Sequence, residues 1–130
     1  MKLCRFCSEE FRVGRNSGGI YCSNRCQRDE QHELQVLAWL SGNDPGWSGK
    51  TVQLKPFVRR YLHMTRGTAC SECGWDKRHP VDGAVLTEVD HIDGDAKNCT
   101  EANLRILCPN CHSMTPTFRR RNKESQRLRS

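Results

Sequence analysis

The chain has 130 residues, 35% of them hydrophobic and 28% charged, with a formal net charge of +6. A chain this short and polar buries only a thin core, which excludes a large α/β enzyme. It leaves one domain, or two small modules that need metals or cross-links for stability. No run approaches the roughly 18–20 apolar residues of a membrane span, and the first residues lack the apolar stretch of a secretory signal. The expectation is a soluble, intracellular protein of the cytoplasm with no membrane partner.

Residues 1–42 read as an amino-terminal zinc module followed by a helix. Cys4 and Cys7 are separated from Cys22 and Cys26 by fourteen residues. Residues 14–19 are a turn between two short strand-like runs, 11–13 and 20–22. Ser23 is an N-cap for a helix over about residues 24–40. That helix carries Leu34, Leu37, Ala38 and Trp39 largely on one side, and Ser41-Gly42 stops it. Residues 43–50 are rich in Asn, Asp, Pro and Gly and read as a linker.

Residues 51–122 form the second unit. A helix is expected over about residues 51–66, because Leu54, Phe57, Val58, Tyr61 and Leu62 recur at i, i+3, i+4, i+7 and i+8. Pro56 fits only its first turn, and Gly67 closes it. Cys70 to Cys73 is a tight knuckle, residues 85–91 and 104–107 are short strands, and Pro109 opens a helix that Pro116 interrupts. The basic tail, residues 123–130, follows. The fold class is thus small α+β, stapled by metal.

Nine cysteines are too many for a reducing compartment unless they bind metal. Eight fall into close pairs: Cys4/Cys7, Cys22/Cys26, Cys70/Cys73 and Cys108/Cys111, with Cys99 alone. Disulfides are the competing explanation, but the odd count and missing signal disfavour them. The pairs read as two Cys4 zinc sites, structural because a closed thiolate shell leaves no position for a substrate. The first module grips DNA, contacts a partner, or only adds stability, and its spacing does not choose among these.

Charge is uneven along the chain. Residues 50–66 hold five bases and no acid, residues 67–103 hold three bases and eight acids, and residues 104–130 hold seven bases and one acid. An acidic centre between basic flanks suits a polyanion clamp around a divalent cation.

The acidic centre also holds the sequence's most informative motif: Asp90-His91, a polar loop, Asn103-Leu104, then Cys108-x2-Cys111-His112. With the upstream Cys70-x2-Cys73-Gly74-Trp75, it resembles the HNH endonuclease family over roughly residues 54–122, and the Arg-Arg-Tyr-Leu helix before it looks like phage-encoded members. The resemblance implies a ββα-metal core that hydrolyses phosphodiester bonds. Adjacent strand residues point to opposite faces, so Asp90 and His91 divide their roles. By the family's pattern, Asp90 and His112 hold one catalytic divalent ion, Mg²⁺ or Mn²⁺, while His91 acts as general base. Asn103 fixes the orientation of the His-bearing strand. The cysteines add two structural zinc ions.

The partner implied is double-stranded DNA, with no small-molecule substrate. Lys55, Arg59, Arg60, Arg66, Arg105, Arg119, Arg120 and Arg121 are the expected contacts to its backbone. A homing-type nuclease of a bacterial or phage-infected cell, acting as a monomer, is the leading expectation. A packaging-associated or restriction-type nuclease, or a double-zinc DNA-binding protein without catalysis, are the alternatives.

Overall fold

Helix α1 (Asn24–Leu40) begins where Ser23 takes an extended backbone and its Oγ accepts the Cys26 amide at 3.2 Å, the usual satisfaction of a helix's first amides. Its end is capped by Ser41, whose amide reaches back to the Leu37 carbonyl at 3.0 Å. The computed structural model describes residues 1–13 and 19–118. Arg119, Arg120 and Arg121, the tail at 123–130 and most of the turn at 14–19 lie outside the described residues.

Ahead of α1, the strand pairing differs from expectation. Strand β1 (Lys2–Leu3) pairs antiparallel with β2 (Glu10–Phe11), and the 20–22 run forms no strand among the described residues. Its Ile20 carbonyl instead accepts the Arg5 amide at 3.0 Å. The first cysteine knuckle brings these segments together: the Cys4 carbonyl accepts the Ser8 amide and the Cys4 amide donates to Glu9. That closes the chain on itself within residues 4–9 and leaves Lys2–Leu3 beside Glu10–Phe11.

The face that α1 buries also differs. His32, Val36 and Trp39 are buried, at i, i+4 and i+7, whereas Leu34 and Leu37 are 54% and 62% exposed. A helix presents one stripe to its neighbour, and Trp39 sets the rotation. Its indole meets Tyr61 and Phe57 edge-on, with centroids 5.4 and 6.4 Å apart, and its Nε1–H donates to the Cys99 carbonyl at 2.7 Å.

Residues 43–50, expected as a linker, are folded. Strand β3 (Trp47–Ser48) pairs with β4 (Gln53–Leu54). The Asp44 carboxylate accepts the Gly46 amide at 2.8 Å and pairs with the Lys55 ammonium at 3.0 Å. Helix α2 (Pro56–Arg66) accordingly starts later than residue 51. Pro56 occupies its first position and holds Lys55 extended, as a residue before proline must be. Gly67 ends it with φ +80° and an amide donated to the His63 carbonyl.

Beyond α2, strand β5 (Glu88–His91) pairs antiparallel with β6 (Leu104–Leu107), and helix α3 (Pro109–Ser113) follows. Strand β5 is shorter than expected, and Val85 makes only an isolated bridge to Arg78. One core joins these elements: Val36 and Trp39 from α1, Phe57, Val58 and Leu62 from α2, and Leu104 and Ile106 from β6. It crosses the boundary expected at residues 43–50. No helix among the described residues is long and apolar enough to cross a membrane.

The observed packing face makes a prediction. Leu62→Ala, which empties a fully buried position, is expected to lower stability by about 2–5 kcal/mol. Leu37→Ala should change it by less than about 0.5 kcal/mol. Urea denaturation followed by circular dichroism measures both, and a larger loss for Leu37 would contradict the face described.

Candidate active site

Register places the candidate residues. In the β5–β6 pair Asp90 stands opposite Arg105 and His91 opposite Leu104. Leu104 and Ile106 turn into the core, which leaves the alternate residue, Arg105, to the face carrying Asp90. Its Nε donates to Asp90 Oδ2 at 2.8 Å, and Glu72 lies 3.9 Å from its Nη1. Asp90 is only 6% exposed, so this pairing compensates a buried carboxylate.

The other Asp90 oxygen faces α3. Asp90 Oδ1 and His112 Nε2 are 3.4 Å apart, and His112 Nδ1 lies 2.8 Å from Glu88 Oε2. When Nδ1 donates to Glu88 and Nε2 carries no hydrogen, Nε2 presents its lone pair toward the Asp90 oxygen, and a cation fits between the two. Ligands at right angles on a small divalent ion, each about 2.1 Å from it, lie about 3 Å apart. The Asp90–His112 pair therefore fits such an ion, with Glu88 in the carboxylate–histidine position that orients a metal-bound imidazole. The amino-acid pattern marked Asp90 and His112 but not Glu88; its position one strand repeat before Asp90 was the available signal.

His91 lies one residue on, 7% exposed, with Nε2 3.3 Å from the Cys99 sulfur. Cys99, the cysteine outside the four pairs, is buried beside the candidate base. Asn103 sits across the loop. Its Nδ2 donates to Asp93 Oδ1 at 2.9 Å and to the Asn98 carbonyl at 2.8 Å, and its Oδ1 accepts the Asp93 amide at 3.1 Å. Its own carbonyl accepts the Ile92 amide at 2.8 Å. Asp93 also accepts from the Asn98 side chain and the Asp95 amide. Burial acts to raise the Asp93 carboxyl, but these three donors hold it below the usual carboxylate value. Asp93 thus braces the turn.

Two cysteine clusters flank this arrangement. Cys4, Cys7, Cys22 and Cys26 form one, and Cys70, Cys73, Cys108 and Cys111 the other, with the four sulfurs of each within 4.8 Å of one another. The separations of 3.6 Å for Cys7–Cys22, 3.5 Å for Cys22–Cys26 and 3.7 Å for Cys73–Cys108 match the edge of a ZnS4 tetrahedron, about 3.8 Å for a Zn–S length near 2.3 Å. The second cluster is tied to the strands: the Ser71 amide donates to the Ile106 carbonyl at 2.8 Å, and Cys108 caps α3. Trp75 packs against it with Leu107.

The electrostatics favour a cation in both clusters. Burial opposes charge on Cys4 and Cys70, yet backbone amides outweigh it and bring both thiols from 9.0 to about 6. Cys111 is pushed up to about 12 by the Cys108 sulfur, then by burial and the remaining sulfurs. Four thiolates so close do not ionise together without a counter-charge.

Of the five bases expected at DNA that lie among the described residues, four are engaged within the protein. Lys55 pairs with Asp44, Arg60 with Asp29 at 3.1 Å, and Arg105 with Asp90. Arg66 donates to the carbonyls of Leu104 at 2.6 Å and Glu101 at 3.0 Å. Arg59 is exposed.

Three predictions follow from this geometry. Metal analysis of the purified chain should give about two zinc per molecule. The lowered Cys4 and Cys70 values mean that the thiolate's contribution is fully present above 9.0 and lost as pH falls through about 6. Zinc release, followed with a chromogenic chelator, should therefore grow on acidification. Separately, Asn103→Asp replaces a donor to Asp93 by a like charge and should cost about 1–3 kcal/mol in urea denaturation.

Residues 70–116 match the HNH endonuclease family. A curated relative, the H-N-H endonuclease F-TflIV of Escherichia phage T5, is 40% identical over 53 residues, covering 41% of this chain. The chain spans 22% of that relative's length. No solved structure is a significant match. Residues 70–116 of this chain, the segment holding Asp90, His91, Asn103, His112 and the second cysteine cluster, are thus an HNH endonuclease domain.

Proposed function

We propose that the chain is a divalent-metal-dependent DNA endonuclease of homing type. The observation that carries the reading is the Asp90–His112 pair, Oδ1 and Nε2 3.4 Å apart with Glu88 beside the imidazole, inside the segment that matches the family. A non-catalytic DNA-binding protein gives that pair no role. The homing-type reading rests on the amino-terminal module, which would lengthen the footprint on DNA.

His91 takes a proton from water on an imidazole nitrogen, an exchange suited to neutral pH. The resulting oxygen nucleophile bonds to phosphorus, the bond to the 3′ oxygen breaks, that oxygen takes a proton from solvent water, and the products are a 5′-phosphate and a 3′-hydroxyl. Asp90 and His112 would hold a divalent ion, Mg²⁺ or Mn²⁺, which would supply stabilisation of the negative charge on the phosphate and departing oxygen. Arg105 holds Asp90 with Oδ1 turned toward His112. Asn103 secures the loop that follows His91. Arg59, exposed on α2, and the arginines at 119–121 meet the phosphate backbone, and the chain acts as a monomer in the cytoplasm.

A supercoiled plasmid incubated with Mg²⁺ or Mn²⁺ tests this. Wild-type protein should convert it to nicked or linear DNA. His91→Ala should slow conversion by about 10²–10⁴-fold while retaining DNA binding in a gel shift, and His112→Ala should raise the metal concentration required. Salt-dependent binding without metal-dependent turnover would favour the double-zinc DNA-binding protein instead.

A further inference from the structure

Helix α1 ends against the candidate catalytic loop. Its Trp39 Nε1–H donates to the Cys99 carbonyl at 2.7 Å, and the Cys99 sulfur lies 3.3 Å from His91 Nε2. Sixty residues of sequence separate Trp39 from Cys99, yet both are buried, at 5% and 2% exposure. We propose that Trp39 is a positioning residue for His91, acting through Cys99, and that α1 with its zinc module serves the nuclease site by holding that contact. The proposal deepens the reading of His91 as general base and rests on it.

The direction of the Cys99 thiol favours one tautomer of the imidazole. The Cys99 S–H donates to the Ala96 carbonyl at 3.2 Å, so the sulfur offers a lone pair to its other neighbour. His91 Nε2, 3.3 Å away, then carries the hydrogen, and Nδ1 is the ring nitrogen with the basic lone pair. A thiol that turned away would release this constraint on ring angle and tautomer. The thiol is kept from turning by its bond to the Ala96 carbonyl and by burial, and Trp39, by holding the Cys99 carbonyl, fixes the backbone from which the thiol projects toward His91.

Trp39 is in turn held on every side. Its ring packs edge-on against Tyr61 and Phe57. Gly46 closes the remaining side: a Cβ there would lie 2.9 Å from Trp39 Nε1 and 3.2 Å from the Cys99 Cβ, and its φ is +82°. The same helix carries Cys26 in its first turn, next to the cap at Ser23. The first cysteine cluster therefore braces one end of α1, and the indole delivers that rigidity at the other.

The test uses the full-length, zinc-loaded chain labelled with ¹⁵N-histidine. Long-range ¹H–¹⁵N spectra report the His91 tautomer, assigned by its loss in His91→Gln. Single-turnover plasmid cleavage and DNA affinity are read in parallel. Wild-type His91 should carry its hydrogen on Nε2. Trp39→Phe, which keeps an aromatic ring but removes the N–H, and Cys99→Ala should each give mixed tautomers. Each should slow cleavage between about tenfold and a hundredfold, with DNA affinity held within about twofold. Cys99→Ser, which keeps a donor and an acceptor, should restore most of the wild-type tautomer. Gly46→Ala, pressing on Trp39 and Cys99 from outside the hydrogen bond, is an independent perturbation expected to act in the same direction. A wild-type His91 protonated on Nδ1, or an unchanged tautomer in both Trp39→Phe and Cys99→Ala, would overturn the proposal. Wild-type cleavage by His91→Ala would instead defeat the general-base reading, and the tautomer spectra would still decide the positioning claim.

Discussion

The pairing register of β5 and β6 is the constraint on which the site depends. Four residues on each strand are opposed, and side chains alternate faces along both. A slip of one residue would exchange the surroundings of Asp90 and His91, removing the carboxylate from His112 and the imidazole from Cys99. Two such short strands do not hold register by themselves. Register here is held from three directions: Leu104 and Ile106 must enter the core, the Ser71 amide is bonded to the Ile106 carbonyl, and the Asn103 carbonyl accepts the Ile92 amide.

The cysteine cluster at residues 70, 73, 108 and 111 closes the same unit from outside. Its members lie on the knuckle before β5 and at the junction of β6 with α3. One tetrahedral ion there would join the start and end of the ββα unit, so His112 cannot drift from Asp90 without distorting a thiolate shell. A chain with so small an apolar core gains more from such a staple than from a few added methyl groups. The charges follow the same economy of space. Arg105, Arg66, Arg60 and Lys55 hold carboxylates or carbonyls in place, and a head group so engaged is less available for a phosphate.

The amino-terminal module is integrated with this unit. Val36 and Trp39 share a core with α2 and β6, and the segment between the helices is a hairpin fastened by the Asp44–Lys55 pair. Each cysteine cluster joins an element next to this core, the first through Cys26 at the start of α1 and the second through Cys108 after β6.

Local chemistry was readable directly from the amino acids. The hydroxyl cap at Ser23, the apolar spacing of α2, the strand at Leu104–Leu107 and the spacing within each cysteine pair depend on neighbours a few residues away, and such signals survive in one dimension. The Asp90, His91, Asn103 and His112 pattern spans residues 90–112 and was legible through its resemblance to a family. The face of α1, the role of Cys99, the engagement of Arg60 and Arg105, and the folding of residues 43–50 depend on partners 11 to 60 residues distant. Those outcomes were settled by packing: an indole with two ring neighbours and one distant carbonyl fixed the rotation of a helix whose own apolar pattern pointed elsewhere.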